Sequence, residues 1–193
     1  MGCPLEELES WLADEKTNGN IFPQGAVLCT VTKDGSPRSR VVGTMLDETK
    51  FPKFHTSPAS RKVKDIEFSN KASLTYSFQS TLRSISVEGS LSSLSDIELD
   101  SDWLKFDEDF RKHYVVFGDC SGDEIITIDH LRKKRDELPE GAARIRPSSF
   151  IGYKFSRVDR ISFYSVKEGD FAISTRYEKM PGSDKWQKSI VVP

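Results

Sequence analysis

Phe54-His55-Thr56-Ser57-Pro58-Ala59-Ser60-Arg61-Lys62 is the stretch on which the reading of the fold turns. Its first residues read as an extended strand and Ser60 as the cap of a helix that opens on Arg61-Lys62 and runs to about Phe68. A helix start already carries unpaired N–H groups and partial positive charge, so two cationic side chains there make an anion site. Arg40, in Ser39-Arg40-Val41-Val42 of a neighbouring strand, supplies a third positive group. Together they read as a phosphate cradle. In an arbitrary protein the same residues have a plainer reading: basic groups at a helix start oppose the dipole and are solvated, and Arg40 is an exposed sheet residue.

Outward from this stretch the chain alternates strands and a few helices. Pro4, Glu6 and Glu7 begin a helix with Leu5, Leu8, Trp11 and Leu12 on one face, ending near Lys16. Ala26 to Val31 and Ser39 to Met45 form a hairpin around Asp34-Gly35. Ala72 to Phe78 and Ile85 to Leu91 follow as strands. Ser95 and Glu98 make a capping box, and Leu99, Trp103, Phe106 and Phe110 continue one amphipathic helix whose stripe reads as core or dimer contact. A charged helix is expected from Asp129 to Glu137, and Asp123 to Ile128 stays ambiguous. Phe150 to Phe155, Arg160 to Val166, Phe171 to Tyr177 and Trp186 to Val191 close the chain as strands. The expected fold is mostly β (α+β), a closed antiparallel barrel of about six to eight strands with peripheral helices. One domain spans 1–193: an N-terminal helix (1–20), core strands with the cradle helix (21–92), a helical insertion (95–138) and closing strands (150–193).

Composition excludes several classes of function. The 193 residues carry a net charge of −2 with 30% charged residues, which gives no bulk attraction to nucleic acid or an anionic membrane. No apolar run approaches the ~18 residues of a membrane helix. Cys3, Cys29 and Cys120 lack CxxC spacing and fit a reduced, cytoplasmic setting; His55, His113 and His130 form no metal-ligand pattern. Met1-Gly2-Cys3 invites an acylation reading, but Glu6 stands where the motif wants Ser or Thr, so an ordinary N-terminus is expected. Arg132-Lys133-Lys134-Arg135 is flanked by acids and reads as a solvated helix face.

Four blocks in order resemble the pyridoxamine 5'-phosphate oxidase family, from roughly Gln24 to Pro193. They are Leu28-Cys29-Thr30-Val31 through Arg40-Val41-Val42; Phe54-His55-Thr56 to Ser60-Arg61-Lys62; Leu82-Arg83-Ser84 through Gly89 with Leu94 to Glu98; and Gly152-Tyr153-Lys154 with Ile161 to Tyr164, closing on Trp186 and Pro193. The resemblance implies a split β-barrel homodimer that binds FMN across the subunit interface. It places Arg40, Val41, Val42, His55, Thr56, Arg61, Lys62, Ser84 and Tyr164 at cofactor-contacting positions. Arg suits bidentate phosphate contact and Lys adds a point charge. His55 stands where the family has Tyr or Phe, and Tyr164 where it has Trp.

Other positions depart from the family. Ser84 replaces a glutamine, Met45 a lysine, and Asp170 to Arg176 lacks the family's Arg-x-His-x-Arg run. Arg111 and Lys112 are no clear substitute for the residues that hold substrate phosphate. The cofactor-phosphate site is thus expected intact and the vitamin B6 site dismantled. The leading expectation is an FMN-dependent oxidoreductase acting on an amine or alcohol, with no catalytic residue identified. The alternative is a non-catalytic barrel that binds flavin, haem or a phosphorylated ligand.

Overall fold

In the computed structural model, residues 3–125 and 127–192 are described. The acylation reading at Gly2, the terminal Pro193 and part of the ambiguous Asp123–Ile128 segment lie outside them. Among the described residues there are eight strands: β1 (Gly25–Val31), β2 (Pro37–Leu46), β3 (Pro52–Thr56), β4 (Lys71–Phe78), β5 (Arg83–Ser93), β6 (Ile151–Ser165), β7 (Ile173–Lys179) and β8 (Trp186–Val191). Five α-helices accompany them: α1 (Pro4–Thr17), α2 (Arg61–Phe68), α3 (Asp96–Trp103), α4 (Glu108–Phe117) and α5 (Asp129–Asp136).

The strands run antiparallel in the order β3-β2-β1-β4-β5-β6, and β3 pairs with β6 to close a six-stranded barrel; β7 and β8 extend the sheet beyond β6. Period-2 alternation sends Ala26 and Leu28, Leu74 and Tyr76, Ile85 and Val87, and Phe155 and Ile161 inward, all at 3% exposure or less. Helix α1 adds Leu8 and Leu12 to that core, and Trp11 meets Phe163 edge-on at 5.1 Å. A second core, Leu94, Leu99, Trp103, Tyr114 and Phe150, joins α3 and α4 to the start of β6. No described helix is long and apolar enough to cross a membrane.

Three local expectations need correction. The closing strands expected at 150–155 and 160–166 are one strand, β6, of 15 residues. Register shifts opposite it, at Glu88/Gly89 and Ser90/Leu91 of β5, absorb the bend. Gly89 is required there, because a Cβ would collide with the Arg157 carbonyl oxygen. The helix expected to run from Asp96 through Phe110 is broken, because the Asp107 carboxylate accepts the Phe110 N–H at 2.7 Å and caps a new helix. Ser60 occupies the N-cap position of α2 without bonding a helix N–H; its hydroxyl instead accepts from Lys62 Nζ at 2.6 Å.

The Ser95–Glu98 capping box is present, and Lys154 of β6 donates to Glu98 at 2.7 Å, fastening α3 to the barrel. The Lys154 bond and the Ser95 donors lower the Glu98 pKa to about 2. An acid with a depressed folded pKa stabilises fully above its unfolded value of about 4.3, and that contribution is lost as pH falls toward 2. Glu98→Gln is expected to lower the thermal midpoint at neutral pH and to converge on the parent protein only once pH has fallen through the folded pKa of about 2. A gap that persists unchanged into acid would remove the assignment.

Candidate functional site

A cavity of about 890 Å³ opens between the outer face of β2, the start of α2, helix α1 and the aromatic face of α4. That is the upper part of the ~300–1,000 Å³ range of small-molecule sites. Its walls include Leu12, Val42, Met45, Phe106, Phe110 and Phe117, so it is largely apolar. Phe106 and Phe110, read from sequence as core or dimer contact, stack at 4.2 Å along this wall, whereas Trp103 is core.

Polar groups converge where β3 meets α2. Lys62 Nζ donates to Thr56 Oγ1 at 3.0 Å and to Ser60 Oγ. Burial, and then the nearby Arg40 charge, lower its pKa. Beside it in the wall, the Ser57 hydroxyl is buried and has no hydrogen-bond partner among the described residues. A buried, unpaired hydroxyl costs about 1–3 kcal/mol, which a ligand acceptor would relieve.

Arg40 reaches the same corner from β2 but is engaged inward. Its guanidinium bonds Thr30 Oγ1 at 2.6 Å and Asp65 Oδ2 at 3.3 Å, while Arg38 takes Asp65 Oδ1 at 3.0 Å. Asp65 is buried on α2, so this cluster, with Val63 and Ile66, fixes the helix against β1 and β2. Of the nine residues expected at the site, Val41, Val42, His55, Thr56 and Lys62 line the cavity. Arg40 does not line it, although its charge is felt at Lys62. Arg61 is exposed and does not line it. Ser84 and Tyr164 face each other across β5 and β6, also outside the lining.

Sequence reasoning missed the group behind His55. Asp102, fully buried on α3, receives Lys53 Nζ at 2.6 Å, Lys105 Nζ at 2.9 Å and His55 Nε2 at 3.1 Å. The signal was an acid within the stripe Leu99, Asp102, Trp103, Phe106, where an isolated charge would not be buried unpaired. Among the described residues no cluster of three metal-ligating side chains exists.

A family model described as pyridoxamine 5'-phosphate oxidase matches residues 23–128, more than half of the chain. The pyridoxine/pyridoxamine 5'-phosphate oxidase of Leptospira biflexa is 26% identical over 199 residues, covering 98% of this chain and 89% of its own. That of Brucella canis is 33% identical over 99 residues, 51% of this chain and 48% of its own. Among solved structures, PhzG from Burkholderia lata, in complex with tetrahydrophenazine-1-carboxylic acid, superposes with a TM-score of 0.83 at 23% identity, over 98% of this chain and 92% of that one. A pyridoxamine 5'-phosphate oxidase-related, FMN binding protein from Nostoc punctiforme gives 0.82 at 15% identity, with both chains covered completely. At these identities the two likenesses are of fold.

Proposed function

The chain belongs to the pyridoxamine 5'-phosphate oxidase family, and from that premise we propose that it is a flavoprotein that holds FMN in the cavity between β2, α2 and α4 and oxidises a small amine or alcohol. The observation that carries the reading is the unpartnered Ser57 hydroxyl and the half-buried Lys62 in the wall of one largely apolar pocket, two groups suited to a phosphate. Lys62, Thr56 and Ser57 would hold the phosphate, with Arg40 adding charge behind them. Val41, Val42 and His55 would border the rest of the cofactor. When bound, FMN supplies a two-electron acceptor; the protein binds it, orients it and excludes water. The reading includes a homodimer, because Ser84 and Tyr164 stand outside this cavity and meet a flavin only if a second copy contributes them.

The substrate is read as lacking a phosphate of its own. Met45 lines the cavity where the resemblance places a lysine, and the 170–176 segment offers a single arginine, Arg176. The same loss of the family's basic positions supports a second reading, a flavin-binding barrel without turnover.

The test is a visible absorption spectrum of the purified protein after FMN addition and desalting, with light scattering of the same sample. A retained flavin band and a dimer mass are expected. Lys62→Ala is expected to weaken FMN binding by about 1.5–3 kcal/mol, the size of a hydrogen bond to a charged group. Arg61→Ala in the same titration compares the exposed member of the pair. A colourless desalted protein would refute the cofactor; an unchanged Kd in Lys62→Ala would move the phosphate elsewhere.

A further inference from the structure

His55 is held from behind by a network that leaves one nitrogen unused. The lysines on Asp102 keep its carboxyl below its ordinary pKa although burial works in the opposite direction, so it is an anion and can only accept hydrogen bonds. The His55 Nε2 facing it at 3.1 Å is therefore the protonated nitrogen, and Nδ1 keeps its lone pair. Burial lowers the ring's pKa more than Asp102 raises it, so the imidazole is neutral near pH 7. The ring stacks on Phe150 at 4.6 Å and meets Phe106 edge-on at 5.4 Å, which fixes its plane. It also lines the cavity, and its Nδ1 has no hydrogen-bond partner among the described residues.

We infer that His55 is the proton acceptor of the cavity, with Asp102 as its positioning residue, and that Nδ1 takes the hydrogen of an O–H or N–H group on a bound alcohol or amine. The inference rests on this cavity being the ligand site. In the oxidation of an alcohol, the O–H bond breaks and its proton forms the Nδ1–H bond of an imidazolium. The O–H electron pair would become the second C–O bond, and the C–H pair would leave as hydride to the two-electron acceptor that FMN would supply when bound. The imidazolium faces the Asp102 carboxylate, while Lys53 and Lys105 on that carboxylate and Lys62 elsewhere on the wall oppose its charge and favour return of the proton. A positioned base of this kind is worth about 10²–10⁴-fold in rate.

The test needs no turnover. The full chain, labelled with ¹⁵N-histidine and free of added FMN, is followed by NMR across pH, with His55 assigned by its loss in His55→Phe. Protonated Nε2 and bare Nδ1 are expected to persist to below pH 6.5, the ordinary value for the imidazole. Benzyl alcohol is expected to shift the Nδ1 signal, whereas benzyl methyl ether, with the same ring and no donor, leaves it in place. The alcohol should bind about 2–12-fold tighter than the ether, the span of one hydrogen bond, and His55→Phe should abolish the preference while keeping the aromatic stack. Asp102→Asn, if it folds, is expected to mix the two tautomers, an effect a purely structural role would not produce. A protonated Nδ1 overturns the inference, and so does any result in which alcohol and ether act alike on it, inertness included. Flavin retention is scored separately: a colourless protein with an alcohol-selective Nδ1 sinks the cofactor reading alone, and a yellow protein with an indifferent Nδ1 sinks only this inference.

Discussion

Asp102→Ala is expected to destabilise the protein by about 3–5 kcal/mol, because it strands a buried Lys53 ammonium with no counter-charge. For a domain of this size that lowers the thermal midpoint by about 6–20 °C. The effect should be largest in the helical segment, since Asp102 is the group through which α3 grips β3. Replacing both partners, as in Asp102→Leu/Lys53→Met, is expected to recover most of the loss, because the desolvation of two charges disappears with them. Urea titrations of the single and double variants measure both quantities. A single variant within about 1 kcal/mol of the parent would mean that water reaches Lys53 readily.

Arg83→Ala is the second large effect, again about 3–5 kcal/mol. Arg83 donates to Glu15 at 2.5 Å, lies 3.6 Å from Asp14 and sits 4.6 Å over the Trp11 ring. Glu15 is fully buried on α1, and its Oε2 has no partner among the described residues, so it relies on Arg83 and the Thr81 hydroxyl at 2.6 Å. Without Arg83 a buried carboxylate remains with one neutral donor, and α1 should detach first. Faster amide exchange over 4–17 than elsewhere would show this; a uniform loss of protection would not fit.

Arg83 also shows where sequence reading stops. It belongs to a block that resembles a cofactor-binding motif, yet its side chain serves the junction with α1. Local signals were legible when one element contained them: Pro4 starting α1, Ser95 and Glu98 capping α3, and Asp34-Gly35 turning β1 into β2. Ser156-Arg157 and Asp159 look like a break between strands because they are polar, but they lie within one continuous strand. The cradle was half legible. Arg61-Lys62 marked the helix start, but which cation turns into the cavity depends on Thr56 and Ser60, and the Arg40 contact depends on Asp65, 25 residues away. The His55–Asp102 pair spans 47 residues and two elements, beyond the reach of any periodicity.

The rung that pairs Ser93 with Tyr153 has a consequence for how such proteins diversify. The described residues from Leu94 to Phe150 leave the barrel and return to it at adjacent strands, about 4.8 Å apart. Lengthening such an excursion twofold adds only about 0.6 kcal/mol of closure entropy. The excursion nevertheless carries Phe106, Phe110, Tyr114 and Phe117, one whole wall of the cavity, together with the carboxylate that orients His55. Ligand choice can therefore be rewritten by insertion and drift in one segment while the strands that hold the phosphate corner stay as they are.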